Sequence, residues 1–425
     1  YKQKDIVLVL IVRSFVAGQF LTFPSIRLTN GAKKALGYPS DTMLNFTGLA
    51  GNFGYTSDEH TVVTEDGYIL KLFRMMQGKR CVGPKRHPPV ILMHGLLQSA
   101  DVWLDAGPKA GLAYLLADDC HDLWVGNIRG NYYSRAHKTL NPDTDADFWN
   151  FSVDEIGLYD VPAVVDYVLD RTGAKKVNYI GFSQGSGTFY IMCSERPEYC
   201  DKVNLLISIA PAARQTYTAS RIYRYSVIAL NWFFNVLARA GMNEMFAKGS
   251  LSQESLWILC QSPIMTETLC GLFISSFDSS HPGSVTKDTL QLLYNHFPAG
   301  TSLKNLVKYG QSMQSDKFEK FDYGDKKNMV VYGDVQPPSY NLSAVTVPVL
   351  IIYGRNDHLV DPKDVSWLAE RLPVVKEVVE VTDPLWNHFD VTYSRDTKRL
   401  IYGKVNEYLL KYSKEACSGE ACDQV

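Results

Sequence analysis

From about residue 60 onward, short apolar runs alternate with stretches whose apolar positions recur at helical spacing. Residues 61–64 and 68–73, separated by Glu65-Asp66-Gly67, predict a β-hairpin. Residues 89–94 form a largely apolar run that stops at Gly95, the pattern of a central parallel strand. Residues 123–125, ahead of Gly126-Asn127, predict another. Between 160 and 170, Val161, Val164, Val165, Val168 and Leu169 repeat at helical spacing, and Pro162 is tolerated because it falls in the first turn. Gly173 follows, then residues 177–180, which read as a short buried strand, so the segment reads as a βαβ crossover. Residues 203–209, 349–353 and 378–381 supply three more strands. Parallel strands joined by helices predict an open α/β sheet, whose ligand crevice lies beyond the carboxyl ends of the strands.

Between the strand ending near Ala210 and the one starting at Val349, the alternation stops. Residues 214–341 read as mostly helical and are expected to form a cap or lid, inserted into a core of residues 19–213 and 342–425. Residues 221–240 crowd apolar side chains from Ile222 to Leu237 into one turn-free stretch, too densely for a single amphipathic face. That density fits a helix buried between layers, or a cap helix offering an apolar wall to a lipid-like substrate.

Composition narrows the partners and the compartment. The 43 basic and 45 acidic residues nearly cancel, so the charge footprint of a nucleic-acid binder is missing. Aromatic residues reach 12%, which suits apolar ligands as well as a large core. Cysteines lie at 81, 120, 193, 200, 260, 270, 417 and 422, and none has Cys-x-x-Cys spacing, so neither zinc nor another metal is expected. Cys260 and Cys270 bracket a short segment containing Pro263, which suits a local disulfide, and a bond between Cys417 and Cys422 would close a second small loop. Sequons begin at Asn45, Asn150 and Asn341. Lys2 and Lys4 lead into an apolar block at 6–12, and residues 1–18 together resemble a secretory signal too short to span a membrane. A secreted or lysosomal location follows as the expectation.

The candidate chemistry centres on Gly181-Phe182-Ser183-Gln184-Gly185, between the strand at 177–180 and residues that start a helix. The flanking glycines permit a sharp strand-to-helix turn that lifts the Ser183 hydroxyl above the sheet. Such a serine needs a base and a third group to hold that base, in chain order serine, acid, histidine. His388 lies just beyond the predicted last strand. By contrast, His60, His87, His94, His121 and His137 precede Ser183, His281 and His296 fall in the insert, and His358 precedes the last strand. The loop after 349–353 offers Asp357 and Asp361. Asp361 stands before Pro362, as a helix N-cap would, so Asp357 is assigned as the acid. Backbone amides of Gln184 and Leu96 are the expected donors to an oxyanion, with His94 as a structural holder of the Leu96 loop.

His94-Gly95-Leu96-Leu97, Gly126-Asn127-Ile128-Arg129-Gly130-Asn131, Gly181-Phe182-Ser183-Gln184-Gly185, Pro298-Ala299-Gly300-Thr301-Ser302, Asn356-Asp357 and Asn387-His388-Phe389-Asp390 together resemble the acid lipase family, which includes gastric and lysosomal members and insect relatives. The similarity runs from about Asn52 to Lys411. It implies an α/β-hydrolase core with a helical cap and lid, a Ser183–Asp357–His388 triad, Leu96 and Gln184 amides in the oxyanion hole, and a Cys260–Cys270 disulfide. The implied activity is serine-dependent hydrolysis of neutral-lipid carboxylic esters, triacylglycerol or cholesteryl ester, through an acyl-serine and without a cofactor. The implied setting is a lipid–water surface, met peripherally by a monomer. Two other readings are a carboxylesterase for small soluble esters and a lipid-binding protein that has lost its chemistry. Phe182 departs from the family pattern, which commonly has histidine there, and Cys193 and Cys200 have no place on it.

Overall fold

The computed structural model describes residues 30–35, 40–77, 88–261 and 265–416. The signal-like segment 1–18, Cys81 and the Cys417–Cys422 pair lie outside the described residues. The main sheet contains β1 (Thr56–Val63), β2 (Ile69–Gln77), β3 (Val90–Met93), β4 (Leu123–Gly126), β5 (Val177–Phe182), β6 (Val203–Ile209), β7 (Val349–Tyr353) and β8 (Val375–Glu380). Their order across the sheet is β1-β2-β4-β3-β5-β6-β7-β8. β1 pairs antiparallel with β2, and β2 with β4, while every pairing beyond β4 is parallel.

The central strands are largely apolar because both of their faces are covered. Val90, Leu92, Val125, Ile180, Ile207, Leu350 and Ile352 enter one core, and Ile91, Met93, Trp124, Tyr179, Leu206, Val349 and Ile351 enter the other. This two-residue alternation between two buried faces gives a continuous apolar run in the sequence. The edges read less clearly. β1 begins five residues ahead of the 61–64 run because an edge strand exposes most of its side chains and needs few apolar ones. β8 likewise starts at Val375, ahead of the 378–381 run, with Lys376 exposed and Glu377 half-buried.

Along the chain, α1 (Leu112–Asp118), α2 (Val161–Thr172) and α3 (Gln184–Glu195) precede the point where strands stop. Gly173 closes α2 in the left-handed conformation at φ 67°, which a β-carbon would disfavour. Between β6 and β7 the chain adds no strand to the main sheet. It instead carries α4 (Arg221–Arg239), α5 (Leu251–Gln261), α6 (Gly271–Phe277), α7 (Lys287–His296) and α8 (Leu303–Ser312), plus a short ladder pairing Glu244–Met245 with Thr301–Ser302. After β7 come α9 (Pro362–Ala369) and α10 (Gly403–Ala416). α1 and α10 cover one face of the sheet, and α2, α3 and α9 the other.

α4 is not buried between layers. Val227, Ile228, Ala229 and Leu237 pack inward, whereas Ile222, Tyr225, Trp232, Phe233 and Val236 lie exposed. Its apolar density arises because one face packs on the protein and a second apolar face meets solvent.

Arg129, in the Gly126–Asn131 motif, ties the loop after β4 to α2. Its guanidinium is buried, with Nε donating to Asp160 at 2.7 Å and Nη1 to Asp66 at 2.6 Å. The Asp160 carboxylate also accepts the Arg129 backbone N–H at 2.9 Å. Removing the cation leaves a fully buried carboxylate without its partner, a change that costs about 3–5 kcal/mol in comparable pairs. Arg129→Met is therefore expected to lower unfolding free energy by about that amount, measured by urea denaturation. A loss below about 1 kcal/mol contradicts this account of the cluster.

Candidate active site

β5 ends at Phe182 and α3 begins at Gln184, which leaves Ser183 alone to turn the chain. It does so at φ 53° and ψ −116°, a strained conformation for a residue with a β-carbon. The space around the turn explains the glycines. A β-carbon at Gly181 would stand 2.7 Å from the Ser186 nitrogen, and one at Gly185 would stand 2.3 Å from the Met93 carbonyl oxygen. The Ser183 N–H donates to the Ile209 carbonyl at 2.9 Å, locking the turn to β6.

The loops after β7 and β8 bring Asp357 and His388 together. His388 Nδ1 lies 2.7 Å from Asp357 Oδ2, and both side chains are buried. The other carboxylate oxygen of Asp357 accepts the N–H groups of Leu359 at 2.9 Å and Val360 at 2.7 Å. Its orientation is thus fixed from both sides. Burial alone would depress the His388 imidazole, but the charge and hydrogen bond of Asp357, with Asp278 beyond, outweigh it and raise its pKa above the ordinary value. The Phe182 ring lies 4.8 Å from the His388 ring, centroid to centroid. The residue preceding Ser183 therefore forms an apolar wall against the imidazole. Asp361 is set apart from this pair: it caps α9, accepting the Lys363 N–H at 2.8 Å.

The loop after β3 passes close to the same serine. A β-carbon on Gly95 would come within 3.1 Å of Ser183 Cβ, and Leu96 is the next residue in the loop. The loop is held at three points. Gln98 Oε1 accepts the Gly95 N–H at 2.9 Å, His94 Nδ1 lies 2.8 Å from the Gly95 oxygen, and Ala299 N–H donates to the Leu97 carbonyl at 2.7 Å. Burial pushes the His94 pKa down to about 4, so it is neutral, and its Nε2 accepts the Ile128 N–H at 3.3 Å. His94 is thus a bracing residue. Gln184 opens α3, where the first backbone N–H groups have no partner within the helix. Its side-chain oxygen accepts from Asn305 Nδ2 and Tyr309 Oη, both at 3.0 Å.

Several residues around the site carry no sequence signal. Asn305 and Tyr309 reach Gln184 from α8, and Asp278 reaches the His388 loop from the end of α6. Cys193 and Cys200 form a disulfide that links α3 to the turn before β6, and Cys260 pairs with Cys270. Their positions on either side of the Arg196-Pro197 turn were the available clue to the first pair. Asn45, Asn150 and Asn341 are all exposed. Among the described residues, no group of three or more His, Cys, Asp or Glu side chains is arranged to hold a metal ion. No helix among them is long and apolar enough to cross a membrane.

Two family models match the chain: a partial α/β-hydrolase lipase region over residues 46–107 and the α/β hydrolase fold over residues 88–240. Lipase 1 of Drosophila melanogaster is 38% identical over 371 residues, covering 87% of this chain and 81% of its own. Human gastric triacylglycerol lipase is 34% identical over 377 residues, covering 87% of this chain and 91% of its own. The chain belongs to the acid lipase family. As an acid lipase it is a carboxylic ester hydrolase on an α/β-hydrolase fold. Lipase 3 of Drosophila melanogaster is similar at 35% identity, with 84% of this chain and 91% of its own covered.

Proposed function

We propose that this acid lipase hydrolyses neutral-lipid carboxylic esters, triacylglycerol or cholesteryl ester, at a lipid–water surface. The observation that carries the reading is the 2.7 Å His388–Asp357 bond held beside the Ser183 turn, in a chain of this family. His388 takes the hydroxyl proton as Ser183 Oγ attacks the ester carbonyl, and Asp357 holds the imidazole in the required tautomer. The carbonyl oxygen becomes an oxyanion between the Leu96 and Gln184 amides, a stabilisation typically worth about 100- to 1,000-fold per donor. Collapse of that intermediate expels the alcohol, which takes the proton from His388 and leaves the acyl-serine. Water then repeats the sequence, releasing the fatty acid and restoring Ser183.

Residues 214–341 act in this reading as a cap over the crevice. Support for a lipid surface comes from side chains that soluble substrates do not require. Trp232 and Val236 on α4 are 65% and 64% exposed, and Leu272 on the adjoining α6 is 65% exposed. Covering about 100 Å² of such surface favours adsorption by about 2.5 kcal/mol. The disulfides and exposed sequon asparagines support passage through an oxidising secretory route, to the exterior or to the lysosome.

Turnover of a long-chain ester is expected to rise in a step once the substrate passes its solubility limit and forms droplets. A double variant, Trp232→Ser with Val236→Ser, should lower that step several-fold while leaving hydrolysis of a soluble short-chain ester unchanged. Plain saturation with both substrates, and no effect of the double variant, favours a carboxylesterase for small esters instead.

A further inference from the structure

The segment from Asp278 to Val285, between α6 and α7, lies across the two loops that carry Asp357 and His388. Asp278 is buried, and its Oδ1 accepts the His358 N–H at 2.9 Å, next to the triad acid. Its Oδ2 accepts the N–H of His388 at 2.7 Å and that of Phe389 at 3.3 Å. Ser279 repeats the bridge: its hydroxyl donates to the Asn356 carbonyl at 2.6 Å, and its carbonyl accepts Asn387 Nδ2 at 2.9 Å. Farther along, His281 Nδ1 lies 2.6 Å from Asp390 Oδ2, and the Ser284 hydroxyl also donates to Asp390. One segment therefore grips both loops, and Asp278 does so at the residue after the acid and at the base itself.

We propose that Asp278 is a positioning residue that fixes the Asp357 loop relative to the His388 loop, and so holds the imidazole in line with Ser183. The proposal rests on the reading of Ser183, Asp357 and His388 as the triad. Three backbone N–H donors converge on its two oxygens, an arrangement suited to carboxylate and to no apolar residue of similar size. Placing it there is costly. Burial first, and then the nearby charge of Asp357, push the Asp278 carboxyl well above the usual carboxylate range. The titratable groups facing it are Asp357 and His388, and beyond the Asn387 turn lie Asp390, His281 and Asp383. A side chain that only filled space would avoid a second carboxyl beside the triad acid. A bridge between two loops that follow separate strands requires acceptors at this point, because the N–H groups of both loops point into it. Since the bridge comes from the insertion, the insertion completes the catalytic geometry as well as covering it.

The test compares the parent with Asp278→Ala and Asp278→Asn, using a soluble short-chain ester and a phosphonate inhibitor that reacts with Ser183. In Asp278→Ala, kcat and the phosphonylation rate should both fall at least about tenfold, since displacing a catalytic group by an ångström costs on the order of 100-fold. KM should stay within about twofold, because no substrate contact is removed. Asp278→Asn retains one acceptor oxygen for the His388 loop, so its rates should fall between those of the parent and the alanine variant. Phosphonate titration counts the folded sites, which separates a slower site from a smaller folded fraction. A parent-like rate per titrated site in Asp278→Ala overturns the proposal. Should the alanine variant not fold, Asp278→Asn decides: a rate at least about threefold below the parent supports the proposal, and a parent-like rate overturns it. If the parent itself is not labelled at Ser183, the triad reading has failed rather than the role of Asp278.

Discussion

Ser183→Ala is expected to reduce ester hydrolysis by roughly 10⁴- to 10⁶-fold while leaving the fold intact, the size of loss seen when a serine nucleophile is removed from a comparable triad. The fold should survive because the turn is set by its neighbours. Gly181 and Gly185 leave room for the Ser186 nitrogen and the Met93 carbonyl, and the Ser183 N–H bond to Ile209 belongs to the backbone. Alanine keeps all of these and carries the same β-carbon into the strained φ of 53°. The expected residual rate comes from the proposed oxyanion donors, the Leu96 and Gln184 amides, acting on water attack, which needs no serine. A phosphonate inhibitor should label the parent at Ser183 alone and leave the alanine variant unlabelled. Undiminished turnover in the variant, or labelling at another serine, would sink the acyl-serine mechanism. The circular dichroism spectrum and melting temperature provide the control, since a cavity of one hydroxyl beside a buried turn costs little.

The inner part of this molecule was legible in its sequence because double burial leaves a plain trace. β3, β5, β6 and β7 carry apolar residues on both faces, so their runs coincide with the observed strands to within two residues. The Ser183 turn was legible because its glycines answer a local steric demand, and Asp361 because Pro362 after it marks an N-cap. What stayed hidden was set by tertiary contacts. β1 and β8 are edge strands that need few apolar residues, and half or more of each lay outside the apolar run. The fate of α4 was undecidable locally: apolar density is the same whether the outer face meets protein or solvent, and only the assembled fold exposes Trp232 and Val236. Asp278 and Asn305 reach the site from 110 and 121 positions away, as single polar residues whose partners only the fold brings near. Phe182 stands out in the sequence only as a departure from histidine, and the structure adds that its ring packs on His388.

The choice between Asp357 and Asp361 yields the second large expected effect. Asp357→Asn should lower kcat by about 10⁴-fold, with thermal stability little changed. The amide oxygen can still accept the Leu359 and Val360 N–H groups, so the loop keeps its shape. What changes is the atom facing His388. Where a carboxylate oxygen accepts the Nδ1 proton at 2.7 Å, an amide NH₂ group donates instead. The imidazole must then present Nδ1 as an acceptor and keep its proton on Nε2, the nitrogen that has to receive the proton of Ser183. The base is present but in the wrong tautomer. It also loses the negative charge that stabilises the imidazolium formed during attack, a charge that acts here in a buried setting where it is poorly screened. Asp361→Asn provides the comparison, because asparagine caps a helix about as well as aspartate and can still accept the Lys363 N–H. Its kcat should stay within about twofold of the parent, and Asp361→Ala should cost about 1 kcal/mol of stability without a matching loss of rate. If Asp361→Asn shows the 10⁴-fold loss and Asp357→Asn does not, the acid belongs to Asp361, and the 2.7 Å contact between Asp357 and His388 is structural only.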